Sequence, residues 1–331
     1  MPSNRGFEKS FRAIETALAF CEARDAMLIV SDNSRDAEKA AYWQGRSRHL
    51  CYLADAPLEP NANAMNTFAA VETPFLMPIG DDDELHADDA HVPVDLAALA
   101  PDVIGVKPVT ELFIGGTDIA VRRAFELDAQ TPGLRLRQFF QRNEGDNTAF
   151  YSIFRTAPYM SLRTCFLEFH PTRGGYCDWP MSMALFMSGK LLLDRSIVFR
   201  YNAEAWATRD AIDESEKRLY ASAGLPENFH DYSLILRAMD LFVFSARKNS
   251  GLTRDALAEV QSGELCDLFN QGFAAVLERV GDANRLLAEA ARKGGQERNP
   301  MLKFLHGATV LDCFQPGLKA KYIAFLKSAS V

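Results

Sequence analysis

Apolar positions in the first hundred residues switch between helical and strand spacing. Phe11, Ile14, Leu18 and Cys21 recur at helical intervals, and residues 26–30 form a short apolar run ending in Ser31-Asp32-Asn33-Ser34. The pattern then predicts a helix over 36–44, a strand over 50–53, a helix over 61–71, a buried strand over 74–79 and a further strand over 103–106. Strands separated by helices of this length imply an α/β fold: a Rossmann-type, mostly parallel sheet with helices on both faces. In such sheets ligands bind beyond the carboxyl ends of the strands. Two acidic turns, at Asp32 and at Asp81-Asp82-Asp83, are expected there.

From 109 to 201 the pattern is mixed. Strands are expected over 147–154 and 196–201, and helices over 134–141 and 179–188. Beyond Asp210 helical spacing takes over, in segments 214–223, 232–248, 254–280, 284–293 and 318–327 separated by Gly, Pro or Asn. This divides the chain into a 1–205 catalytic-type α/β domain and a 206–331 helical C-terminal appendage. The apolar faces of that appendage need a partner surface, either the α/β core or a second copy in a homo-oligomer.

Composition narrows the class of partner. The chain has 331 residues, 48% hydrophobic and 24% charged, enough for a large core. Its formal net charge of -8 argues against a nucleic-acid binder held by phosphate neutralisation. No apolar run is long enough to span a bilayer, and no signal core follows the N-terminal Met1-Pro2-Ser3-Asn4-Arg5, so no transmembrane segment and a cytoplasmic location are expected. The six cysteines are scattered, without zinc or redox spacing.

Three segments carry candidate chemistry. Asp81, Asp82 and Asp83 follow a buried strand, and three adjacent carboxylates repel one another unless a cation or donors offset them. Mn²⁺ or Mg²⁺ suits such oxygen ligands, usually with substrate phosphates completing the shell. A solvated turn capping the next element explains the triplet equally well. Asp32, at a strand end, can face the polar edge of a nucleoside or cap the helix after it. Asp178, in Gly174-Gly175-Tyr176-Cys177-Asp178-Trp179-Pro180, can act as a general base beside an apolar indole face, or as a helix N-cap. Asp146, Asn147 and His170 are further polar residues for which a turn or structural role is the simpler reading.

In order and spacing these pieces resemble the family-2 glycosyltransferases, which have the GT-A fold. Pro2-Ser3-Asn4-Arg5-Gly6 matches the family's opening turn, Val30–Ser34 its Val-Ser/Asp-Asp element, and Asn61, Asn63 and Asn66 its Asn-bearing helix. Gly80–Asp83 resembles the DXD-type metal motif, and Asp178 stands at the catalytic acid element ahead of a helix ending in Gly189-Lys190. The resemblance spans residues 1–201 and implies a GT-A-like fold, a Rossmann-type mixed sheet with helices on both faces, and transfer of a sugar from a nucleotide-sugar donor to a carbohydrate or other acceptor hydroxyl. A UDP-sugar is the first expectation, with inversion of stereochemistry.

On that resemblance Pro2, Ser3, Arg5, Asp32, Asn66, Asp81 and Asp82 bind the nucleotide-sugar. Asp83 and Asp81 hold Mn²⁺ or Mg²⁺, and Asp178 takes the acceptor proton. Three departures stand out. The family's first strand is expected to be absent or reduced to Met1. One acid replaces the usual pair at Cys177-Asp178. The Gln-x-x-Arg-Trp motif of processive synthases is missing, which implies non-processive transfer. Two other readings remain: a catalytically inactive GT-A-like nucleotide-binding or protein-interaction module, and a nucleotidyltransferase, for which only Arg5 and Gly6 hint at the usual phosphate loop.

Overall fold

The apolar run around residue 28 becomes the middle strand of a three-stranded parallel sheet. In the computed structural model, which describes the chain except for residues 115–118, 281–283 and 330–331, β1 (Pro2–Ser3), β2 (Leu28–Asp32) and β3 (Leu50–Leu53) lie in that order. Helices α1 (Phe7–Ala23) and α2 (Ala37–Trp43) make the two connections, the crossovers that parallel pairing requires. Ile14, Leu18 and Phe20 of α1, Trp43 of α2, and Leu28 and Val30 of β2 meet in one buried cluster.

The strand expected to be absent or reduced to Met1 is present as the two-residue β1. Pro2 is opposite Ser31 and Ser3 opposite Asp32, and the Met1 amine donates to the Ile29 carbonyl at 2.8 Å. The reason is backbone accounting: the Ser31 and Asn33 N–H groups of the inner strand need acceptors, and the Met1 and Ser3 carbonyls supply them.

After α3 (Pro60–Ala69) the sheet pattern changes. Strands β4 (Phe75–Leu76), β5 (Glu84–Ala87), β6 (Val103–Phe113), β7 (Ile119–Arg123), β8 (Ile153–Arg155) and β9 (Lys190–Asn202) form a second sheet, in the order β4-β8-β6-β9-β5 with β7 paired to β6. Its registered pairs are antiparallel. The fold is α/β with mixed strand pairing: the three-stranded sheet is parallel and the registered pairs of the second sheet antiparallel, where helix–strand spacing alone predicted a mostly parallel sheet. Among the described residues no α-helix lies between β4 and β5, β5 and β6, or β6 and β7, so these strands lack the crossovers that parallel pairing needs. The strand expected over 74–79 shortens to β4, and the acidic triplet falls in the bend before β5.

The strands and α1–α3 belong to one compact unit, built from Met1–Glu126, Thr148–Ala157 and Leu191–Ala207. A second unit comprises Leu127–Asn147, Pro158–Lys190 and the chain from Thr208 onward. Its helices are α4 (Pro132–Arg142), α5 (Thr156–Phe169), α6 (Asp178–Ser188), α7 (Arg209–Ser222), α8 (Ser233–Ala246), α9 (Arg254–Ser262), α10 (Glu264–Val280), α11 (Arg285–Gln296), α12 (Pro300–Phe314) and α13 (Leu318–Ala329). α8 is its axis, apolar on nearly every side and packed against α6, α10, α12 and α13, as a helix without a polar face must be. Gly307 lets α12 come close, since a Cβ there would lie 2.8 Å from the Met239 sulfur. Among the described residues no helix is long and apolar enough to cross a membrane.

Candidate functional site

Two sequence motifs nearly eighty residues apart meet at Asp81. Its Oδ2 accepts from the Ser3 hydroxyl at 2.8 Å, the Asn4 N–H at 3.0 Å and the Arg5 N–H at 3.1 Å. Arg5 closes the contact with one guanidinium nitrogen on Asp81 Oδ1 and the other on Asp82 Oδ2, the latter at 2.7 Å. Against the cost of burial, Arg5 and these donors hold the Asp81 carboxyl below the usual range. Asp81 therefore spends its oxygens on the turn that leads from β1 into α1.

Asp32 is spent in a similar way. Its Oδ1 accepts from Lys39 Nζ at 3.0 Å and the Ser34 N–H at 3.1 Å, and its Oδ2 from the Tyr52 hydroxyl at 2.6 Å and the Ser34 hydroxyl at 3.0 Å. Lys39 is fully buried on α2 and also donates to the Ser3 hydroxyl at 2.6 Å and the Arg5 carbonyl at 2.7 Å. It ties the end of β2 to the Ser3–Arg5 turn. Sequence reasoning did not single out Lys39 or Tyr52; a lysine in the short α2 pattern reads as solvated until the fold buries it. Asn66 donates to the Ser31 hydroxyl at 2.9 Å, and Asn63 to the Ser3 carbonyl at 3.3 Å, so α3 supports the same turn. Pro2 lies in β1, where its missing N–H costs no ladder bond to β2.

The other two acids of the triplet differ from Asp81. Burial pushes the Asp82 carboxyl up, Arg5 opposes this and Asp81 adds to it. Burial, then the charge of Asp82, drives Asp83 up to about 8, despite hydrogen bonds from the Asn202 and Gly80 N–H groups. The Asn202 bond is 3.0 Å long. Two adjacent carboxyls, both raised, are what a hard divalent cation would relieve. Asp81, expected with Asp83 to hold the metal, has its oxygens engaged by the Ser3–Arg5 turn.

Asp178 lies in the second unit as the first residue of α6. Its Oδ1 accepts from the Trp179 N–H at 2.7 Å. Burial raises the carboxyl to about 6, against the pull of the Asn147 amide, the Trp179 N–H and the Arg237 cation. It does not cap the helix from outside: Cys177 holds the N-cap position and offers no side-chain cap bond. A carboxyl that titrates near neutrality suits general base work.

No protein-family model and no curated protein matches this chain. Among solved structures it is similar to Staphylococcus aureus TarS. The crystal structure titled TarS 1-349 aligns at 13% identity and a TM-score of 0.38, over 93% of this chain and 88% of that one. A longer TarS chain aligns at 12% identity and a TM-score of 0.39, over 92% of this chain and 52% of that one, so this chain spans about half its length. At those scores no residue role transfers, and the roles below rest on this chain's own geometry and on the motif resemblance.

Proposed function

We propose that the chain is a glycosyltransferase that moves a sugar from a nucleotide-sugar, a UDP-sugar first, to an acceptor hydroxyl. The observation that carries this reading is the meeting of the Ser3–Arg5 turn with the acidic triplet at Asp81. The two motifs whose order resembles family-2 glycosyltransferases lie in direct contact, with two raised carboxyls beside them.

In this reading Asp82 and Asp83 hold Mn²⁺ or Mg²⁺. A divalent ion held there would supply positive charge for the donor's diphosphate. Arg5, 38% exposed at its side chain, faces the same place and adds a fixed positive charge for the leaving diphosphate. Ser3, Lys39 and Asp32 act by holding the turn that presents Arg5. Asp178 takes the proton of the attacking hydroxyl, and its raised carboxyl lies close to the working pH. Attack from the face opposite the diphosphate inverts the anomeric centre, and one sugar moves per encounter.

Thermal unfolding with nucleotide tests the reading. UDP should raise the melting temperature only with Mn²⁺ or Mg²⁺ present. At a hundredfold excess over its dissociation constant, linkage gives about 2.7 kcal/mol of stabilisation. Equal stabilisation by UDP in EDTA would rule out the metal-held diphosphate. No response to UDP, GDP or dTDP under any condition would favour a module without this activity.

A further inference from the structure

Helix α8 takes hold of the residues on both sides of Asp178. Asp240 accepts from the Cys177 thiol, Sγ to Oδ2 3.6 Å. Arg237 lies over the Trp179 ring, 4.5 Å from its centroid. Residues three apart on a helix share a face, so a single face of α8 carries both contacts. The contact on Cys177 matters because Cys177 is the N-cap of α6 and makes no side-chain cap bond of its own. The side-chain contact on this N-cap residue comes from α8.

Asp240 is itself held rigidly. Its Oδ1 accepts from His170 Nε2 at 2.9 Å and from the Tyr322 hydroxyl of α13 at 2.8 Å. The ligand atoms of His170, Cys177 and Asp240 lie within 4.8 Å of one another, the spacing of a metal site. The tautomer speaks against one. His170 Nδ1 accepts from the Arg173 N–H at 2.9 Å and the Thr172 N–H at 3.2 Å. The ring proton therefore sits on Nε2, the atom that would have to bind the metal. The trio belongs to a hydrogen-bonded network in which His170, Cys177 and Tyr322 donate to the one buried Asp240 side chain.

We propose that Arg237 and Asp240 are positioning residues for Asp178, which makes α8 part of the catalytic apparatus. This rests on the reading of Asp178 as the base. Asp240 fixes where the Asp178 backbone begins its helix, and Arg237 fixes the indole beside the carboxyl and faces it with a positive charge. The groups facing this carboxyl are the Asn147 amide, Tyr220 of α7, Arg237 of α8 and the adjacent Cys177. Arg163 of α5 faces Cys177 in turn.

The test is the titration of Asp178 in the full chain, read from the carboxyl signal of ¹³C-labelled aspartate and assigned by its loss in Asp178→Asn. Arg237→Met keeps an apolar side chain on the indole and removes the charge. It should move the midpoint up by roughly one pH unit, and Arg237→Lys should restore most of it. Cys177→Ala cuts the contact with Asp240 and lets water reach the carboxyl, so the midpoint should fall toward the ordinary range; Cys177→Ser should restore it. Should Asp240→Asn fail to fold, the Cys177 pair still decides. Lower melting temperatures with every midpoint at the wild-type value would overturn the proposal, because a purely structural role moves stability and not this titration. Separately, wild-type UDP release from UDP-glucose by Asp178→Asn would overturn the reading of Asp178 as base, whatever the midpoints.

Discussion

Three neighbouring carboxyls with the same side chain end in three different states. Asp81 is held low by Arg5 and backbone donors, Asp82 is raised while paired with Arg5, and Asp83 is driven to about 8. The sequence announces three acids in a row but not which of them Arg5 takes, because that choice depends on a turn 76 residues earlier in the chain. Asp83 gives a pH prediction. Its carboxyl is raised on folding from an ordinary value, so the native chain binds more protons than the unfolded chain between about pH 4 and pH 8. Stability from this group is present at the acid end of that window and lost as pH rises toward 8. Under the proposed metal role Mn²⁺ would have to displace the same proton, so its affinity should climb through this range. Asp83→Asn should flatten the fall in melting temperature over this window and abolish the gain in Mn²⁺ affinity. A wild-type Mn²⁺ affinity that is constant from pH 6 to pH 8.5 would remove Asp83 from the metal site.

At the scale of elements, α2 shows how much a short helix can hold. Asp36 caps it through the Glu38 and Lys39 N–H groups, and its other oxygen accepts from the Phe7 N–H at the start of α1. One turn in, Lys39 enters the core to join Asp32, Ser3 and the Arg5 carbonyl. Removing one partner of a buried pair strands the other, so Lys39→Met should destabilise the chain by about 3 kcal/mol in urea unfolding. Adding Asp32→Asn should recover part of that loss. Additive losses in the double variant would mean that the two groups do not act as a pair. The same scale shows what local pattern reveals. α1, α2, β3, α4 and α6 fall within a few residues of their expected bounds because each has one apolar face or a clear run. α5 and α12 went unseen for different reasons: Pro158 interrupts the first turn of α5, and α12 is apolar on too many sides to leave a stripe. The single helix expected over 254–280 is divided at Gly263, where the backbone leaves helical values. Antiparallel pairing in the second sheet joins distant strands such as β5 and β9, and no local period encodes that.

For the molecule as a whole, the expected change to helical character near residue 206 is visible in the sequence, but the partners of the last helices are not. The second unit takes α4 and α6 from the middle of the chain and packs α6 on α8. Pro180 to Met187 of α6 are buried without a break. A chain ending at residue 205 should therefore expose this surface and aggregate, visible as a void-volume species in size exclusion. A soluble, folded 1–205 fragment would show that α6 does not depend on α8. The same arrangement sets an order of events during synthesis. α6 leaves the ribosome about 45 residues before α8 begins, a few seconds at ordinary elongation rates. Throughout that interval the seven apolar side chains among Pro180–Met187 lack the cover that α8 gives them, and Tyr322, which completes the bonds to Asp240, lies 82 residues beyond Asp240. The nascent chain should be a chaperone client in that window, and slowing translation between α6 and α8 should lower the soluble yield.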